Sequence, residues 1–330
     1  MNKPKIALYW CSSCGGCEES VLDLAEDLLD VEKSVDILFW PVALDMKYQD
    51  VAMIPDGGIT ATLINGAVRM ENQEHMAKIL RKKSKLIIAH GSCAHIGGVV
   101  GLANFYDSRD ILNRAFKEVP TLKRPHDMLP GDGIEESQKE LRLPNFYNTV
   151  KALDQIIEVD YYIPGCPPTP QLIKNAINAI LQQRLPLKGS VLAEKKALCY
   201  SCSRRESKPD MVRIKRFMRL YEKQWDPARC FLDQGLICLG PATRGGCEER
   251  CIKANMPCRG CFGPPDNVMD QGAKILSFLA SFLDSKDEKE LRKIADSIPD
   301  PGGLFYRYSL ASSILKGKRI KQENEKTNLD

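Results

Sequence analysis

This sequence predicts an α/β fold: a doubly wound parallel sheet followed by a smaller, irregular domain nucleated by cofactors. Two observations carry that expectation. Through the first 184 residues, short apolar runs alternate with helix-period segments, the pattern of a parallel sheet with helices on both faces. Beyond residue 185 the alternation stops, and eight of the 13 cysteines fall among frequent Gly and Pro.

The elements follow in order. Lys5–Trp10 (KIALYW) reads as the first strand. A glycine-containing loop leads to an amphipathic helix over 18–30, with Val21, Leu22, Leu24, Ala25, Leu28 and Leu29 apolar. Residues 35–40 and 58–64 are the second and third strands, the third closed by Asn65-Gly66. Helical spacing returns over 72–83. Residues 85–90 and 159–163 are the fourth and fifth strands, with a helix over 169–183 after them. Between these strands lies a long insert whose later part, Pro120–Tyr147, is rich in proline and charge; connections this long usually serve a function or a partner. Leu185–Lys196 reads as a linker. The expected division is 1–184, 185–315 and a charged tail, 316–330, that frays.

Composition narrows the function. The net charge is +4 and no basic stripe is interleaved with aromatics, so nucleic acid is not an expected partner. No apolar run approaches the roughly 18 residues of a membrane helix; Ile275–Leu283 comes nearest. The N-terminus enters a strand without a signal-peptide core or twin arginine, which points to the cytoplasm. In that reducing compartment cysteines serve metals or catalysis more than disulfides. No Walker or Rossmann glycine motif supports a nucleotide, and the four histidines form no His-rich metal site.

The cysteines form three stations. The first is Cys11-Ser-Ser-Cys14-Gly-Gly-Cys17 with Cys93 and Cys166, each directly after an expected strand. The carboxyl ends of parallel strands share one edge, where ligands bind. Glycines there let backbone approach a bulky cofactor, and the helix starting near Cys17 favours an anion. A thioredoxin-type CxxC would leave Cys93 and Cys166 as coincidences. A ferredoxin run fails because Val21 stands where its fourth cysteine belongs. Five thiols compete for four places, with Cys11 or Cys14 the odd one; Cys11, directly off the strand, suits burial as a small apolar residue. Glu18 and Glu19 flank this set. Glu18 is open to a proton route or to a plain role at the helix N-terminus. His90 and His95, near Cys93, either bond a cluster sulfur or pack in the core. The second station is Cys199, Cys202, Cys230 and Cys238; the third is Cys247, Cys251, Cys258 and Cys261. Either four could bind zinc alone. Three fours in one chain favour redox centres, since iron–sulfur clusters take four thiolates each.

In combination, Glu18 after Cys14-Gly-Gly-Cys17, Gly-Ser-Cys93, Pro-Gly-Cys166-Pro-Pro, Cys238-Leu-Gly-Pro and Pro-Cys258-Arg-Gly-Cys261 resemble the small subunit of nickel–iron hydrogenases. The resemblance implies a flavodoxin-like first domain and a cluster-bearing second one. It implies a proximal cluster on Cys14, Cys17, Cys93 and Cys166, a distal one on Cys199, Cys202, Cys230 and Cys238, and a medial one on Cys247, Cys251, Cys258 and Cys261. Many periplasmic members start the distal set with histidine and place proline at the fourth medial position. Cys199 and Cys251 stand here instead, which implies three 4Fe-4S clusters. The Cys230–Cys238 gap is longer than in those members. With no twin-arginine leader, the chain looks most like the cytoplasmic, methyl-viologen-reducing, F420-non-reducing subgroup. That likeness implies a large-subunit partner that splits hydrogen, and an acceptor of the heterodisulfide reductase type. It implies no nickel, flavin or nucleotide here and no bond chemistry in this chain. Two other readings are a quinone-oxidoreductase subunit, which leaves the eight C-terminal cysteines unexplained, and a similar relay whose large subunit lacks nickel.

Overall fold

The structure, a computed structural model, describes residues 3–121, 129–130, 143–208 and 213–315. Six strands form one parallel sheet: β1 (Lys5–Trp10), β2 (Asp36–Phe39), β3 (Ile59–Asn65), β5 (Ser84–His90), β7 (Tyr161–Ile163) and β8 (Ser190–Val191), in the order β2-β1-β3-β5-β7-β8. The first five of these run 2-1-3-4-5, the flavodoxin-like order, whose ligand crevice opens at the carboxyl ends of the strands. A ribbon of β4 (Val68–Met70) and β6 (Phe146–Lys151) pairs antiparallel beside it.

Period-two alternation builds both faces of the sheet. Ile6, Leu8, Leu63, Ile88 and Ile163 pack on Ile173 and Ile177 of the helix Pro170–Leu181. Ala7, Tyr9, Ile64, Ile87 and Ala89 pack on Met76 and Leu80 of the helix Glu71–Lys83. Covered on both sides, the middle strands need no polar face, which is why β3 and β5 read as near-continuous apolar runs.

Three features differ from the expectation. The single helix over 18–30 is two helices, Gly16–Leu22 and Asp27–Ser34, broken at Ala25 with φ 52. The break turns Leu24 into the core beside Val21 and leaves Leu22 and Leu29 exposed. Segment 185–196 does more than link, because its β8 pairs with β7 through Tyr161 and Tyr162. The β4–β6 ribbon escapes a periodicity reading because β4 spans three residues. Most of Pro120–Tyr147 and the tail 316–330 lie outside the described residues.

After β8 regular structure is sparse. The helices Gln271–Ala280 and Pro301–Phe305 pack with Phe217, Trp225, Phe231, Leu236 and the buried Cys238 and Cys258 in a separate core. No helix among the described residues is long and apolar enough to cross a membrane.

One polar contact pins the amino-terminal end of β7 to β5 and to the helix Glu71–Lys83. The Asp160 carboxylate, fully buried, meets Arg81 Nη1 at 2.6 Å and Lys188 Nζ at 2.5 Å, and accepts the Ile87 amide at 2.8 Å. Burial alone would raise its pKa; the bonds from Lys188, Arg81 and Ile87 outweigh it and hold the pKa below the usual value. Asp160→Asn should therefore cost about 2 kcal/mol, the scale of hydrogen bonds to a buried charged group. Because the folded pKa is depressed, the wild-type advantage is present above the unfolded carboxylate range near pH 4. It is lost as pH falls through the lower folded value. Thermal unfolding of both proteins at pH 7 and at pH 3 checks both the size and the sign.

Candidate metal centres

The first station is assembled by the sheet. Cys14 and Cys17 follow β1, Cys93 follows β5 and Cys166 follows β7. The loops are bonded to one another: the Gly91 amide donates to Ile163 O (2.8 Å) and the Ser92 amide to Gly165 O (2.7 Å). Gly91, at φ 86, admits no side chain, since a Cβ there would stand 2.3 Å from Cys17 Sγ. Gly98 is equally close to Cys93 Sγ, at 2.3 Å. Amides of Val100 and Val99 point at the Cys93 sulfur. The four thiols are electrostatic neighbours. Burial, then Cys93, Cys166 and Cys14, raise Cys17; burial, then Cys166 and Cys14, push Cys93 up to about 12. Cys14 and Cys166 are exposed, and Trp10, which lies against Gly15, is 38% exposed beside them.

The flanking residues separate clearly. Glu18 is buried, and its two oxygens accept from Trp40 Nε1 and Asn65 Nδ2. Burial raises its pKa against those two bonds. Asn65 is steadied in turn by Ser13 Oγ (2.9 Å). Glu19 is exposed. His90 reaches the carbonyl of Cys17 (3.1 Å) and His95 packs against Tyr162 (ring centroids 4.8 Å). Burial lowers both imidazoles, to about 4 and about 3, so both are neutral packing groups at pH 7. Cys11 stands apart: it packs in the core with Tyr9 and Ile64, and burial alone pushes it up to about 12.

The second station gathers Cys199, Cys202, Cys230 and Cys238. Burial, then Cys238, Cys202 and Cys230, push Cys199 up to about 12. Gly240 fits between two of the sulfurs; a Cβ there would lie 3.3 Å from Cys199 Sγ and 3.6 Å from Cys238 Sγ. The long Cys230–Cys238 gap holds a tight turn, closed by the Leu236 amide on Phe231 O (2.9 Å), that buries Phe231, Leu232 and Leu236. Extra length there returns Cys238 to its partners.

At the third station burial, then Cys247, Cys251 and Cys166, push Cys261 up to about 12. Burial, then Cys238 and Cys261, raise Cys258 strongly. Two backbone bonds join the stations. The Cys166 amide donates to Cys261 Sγ, and the Cys258 amide donates to Cys238 Sγ. Ser92 Oγ adds a bond to Cys261 O, and the Thr243 hydroxyl contacts Cys258. Sequence reasoning missed Ser92, Thr243, Trp40 and Asn65. Ser92 was the most findable, because it adjoins Cys93 in Gly-Ser-Cys.

At each station burial raises three of the thiols: Cys17, Cys93 and Cys166 at the first, Cys199, Cys202 and Cys238 at the second, Cys247, Cys258 and Cys261 at the third. Such a group ionises only when a cation enters, which suits thiolate-ligated metal. A single tetrahedral ion needs donors converging on one point. Among the described residues, no three His, Cys, Asp or Glu side chains converge that closely. A four-iron cluster instead takes one thiolate at each iron and needs them spread around it.

Known proteins resemble this chain over most of its length. Residues 14–180 match the family described as NADH ubiquinone oxidoreductase, 20 Kd subunit. The iron–sulfur subunit of the F420-non-reducing hydrogenase of Archaeoglobus profundus is 37% identical over 320 residues, 96% of this chain and 99% of that protein. The corresponding vhu subunit of the F420-non-reducing hydrogenase of Methanocaldococcus jannaschii is 36% identical over 314 residues, 95% of this chain and 97% of that one. Among solved structures, the [NiFeSe] hydrogenase of Desulfovibrio vulgaris Hildenborough aligns with a TM-score of 0.51 over 81% of this chain and 95% of its own. At 18% identity that likeness concerns the fold alone.

Two substitutions probe the grouping. Gly91→Ala forces a methyl into Cys17 Sγ and should lower bound iron. Cys11→Ala should leave iron and acid-labile sulfide unchanged. Metal and sulfide analysis of the purified variants checks both.

Proposed function

This chain belongs to the family of iron–sulfur, electron-transfer subunits of F420-non-reducing hydrogenases, and from that premise we propose that it carries three 4Fe-4S clusters in a line. The observation that carries the proposal is the linkage of the three thiol groups. Cys166 and Cys261 join the first to the third, and Cys258 and Cys238 join the third to the second. Cys14, Cys17, Cys93 and Cys166 would hold the proximal cluster, Cys247, Cys251, Cys258 and Cys261 the medial one, and Cys199, Cys202, Cys230 and Cys238 the distal one. When bound, the clusters supply one-electron carriage between a hydrogen-splitting large subunit and an acceptor. The protein's own part is to supply thiolates, aim amides at their sulfurs and exclude water, which together set the potentials.

The large subunit belongs over the proximal site. Cys14 and Cys166 are exposed there, and Trp10 and Val99 present apolar surface around them. The acceptor, beyond the distal site, is proposed to be a heterodisulfide reductase-type complex, and the setting the cytoplasm. The division at 184/185 is part of the same proposal, with β8 reaching back to the sheet. A quinone-oxidoreductase reading is less supported, because the match to that family ends at residue 180, ahead of eight of the cysteines.

The proposal expects about twelve irons and as many sulfides per chain. Four or fewer irons, or stoichiometric zinc, would sink it. Cys258→Ser should lower the count to about eight. It should stop hydrogen-dependent dye reduction and spare proton–deuterium exchange at the large subunit. Dye reduction at full rate would show that the line is wrong. Glu18, buried beside the proximal thiols, is proposed as a fixed proton relay. Glu18→Gln should keep its iron yet slow turnover at least about tenfold. Unchanged turnover confines Glu18 to bracing the helix.

A further inference from the structure

Arg204 lies two residues after Cys202 and is 5% exposed. Its guanidinium donates to Asp226 O (3.3 Å), Arg229 O (3.2 Å), Ile252 O (3.2 Å) and Asn255 Oδ1 (2.9 Å). It also lies 4.1 Å from the ring centroid of Phe231. Every one of these partners is neutral. Among the described residues no carboxylate stands at ion-pair distance from it. Glu249, the acidic group that acts on Cys202, accepts the Ser203 amide (2.7 Å) instead. Guanidinium stays protonated in proteins, and a buried charge is costly without a counter-charge.

The rest of the residue shows where that counter-charge belongs. The Arg204 amide donates to Cys202 Sγ, and the guanidinium charge acts on the same sulfur. The Arg204 carbonyl accepts Ser207 Oγ (2.8 Å), and Ser207 Oγ accepts the Cys230 amide (2.8 Å). One residue therefore braces two of the four thiols of the second station. Its side chain ties their loops to the segment 252–255 that follows Cys251.

We propose that Arg204 is a positioning residue of the distal site and its buried counter-cation, favouring the reduced, more negative state of the cluster held there. The proposal rests on the reading that Cys199, Cys202, Cys230 and Cys238 carry a four-iron cluster. Net charge and hydrogen bonds to sulfur are two of the levers by which a protein sets such a potential.

The test is a redox titration of the intact hydrogenase complex, following each cluster by EPR, with iron counted on the same samples. Arg204→Gln should shift the reduced-to-oxidised ratio of the distal cluster about tenfold towards oxidised at fixed potential. For a one-electron couple that is about 59 mV. Arg204→Lys keeps the charge and should restore most of the potential while losing thermal stability. Where Arg204→Gln does not assemble, Asn255→Asp decides. It keeps the Oδ1 acceptor that Arg204 bonds, gives up only the long Nδ2 bond to Trp225 O (3.4 Å), neutralises the cation and should move the distal potential the same way. An unchanged distal potential in an assembled Arg204→Gln or Asn255→Asp complex overturns the proposal. So does loss of the distal cluster in all three variants, Lys included, which would leave Arg204 a scaffold only. A wild-type complex with about eight irons and no distal signal would overturn the three-cluster reading instead.

Discussion

Thiols gathered side by side and partly shielded from water cannot all ionise on their own, and much of this molecule follows from that constraint. At each station burial raises three of the four thiols and neighbouring thiols raise them further, Cys17 and Cys199 among them. Left empty, such a pocket is held together only by the packing around it. Filled by a metal centre, the same repulsion becomes attraction, and metal binding becomes part of folding. The region after β8 shows the consequence. Its core counts Cys238 and Cys258 among its buried members, and its regular structure is a few short helices. The region before it differs, because a six-stranded sheet with helices on both faces supplies most of its core. There the thiols ride on loops that the strands position anyway.

This difference decides what the sequence makes legible. Short apolar runs alternating with helix-period segments are a strong signal where a layer repeats, so the five main strands and the helices of 71–83 and 170–181 are readable. The break at Ala25 is not, because the apolar spacing continues through it. Only the core's demand for Leu24 explains the left-handed residue. Nor are β4 and β8, whose three and two residues carry no period. After β8 the period is confined to the helices Gln271–Ala280 and Glu288–Asp296, and the cysteines are legible by their spacing instead. Thiols are countable in a sequence. What lies beyond reach is the company they keep: the Val99 and Val100 amides at Cys93, Thr243 at Cys258, and a guanidinium whose partners come from 226–255. Those are products of tertiary folding among loops.

The order of the stations in space is the sharpest case. In sequence the third station comes last, but its Cys258-x2-Cys261 pair faces both others. Cys261 receives the amide of Cys166, and Cys258 gives its own amide to Cys238. Three residues of spacing let one short turn present one sulfur to the sheet edge and one amide to the second station. The central position therefore belongs to the segment 258–261, with neighbours on two sides, while Cys199 and Cys14 lie towards the two ends. A line built this way transmits disturbance unequally. A shift of Cys199 touches one junction, whereas a shift of the 258–261 turn moves a thiol of one station and the amide serving another. Burial matches that demand: Cys258 and the Gly260 that follows it are enclosed, and Gly260 sits at φ 97, 3.0 Å from the Leu239 side chain by its absent Cβ. The thiols enclosed most fully at the meeting of the second and third stations are Cys238 and Cys258, while Cys14, Cys166 and Cys251 lie at the surface.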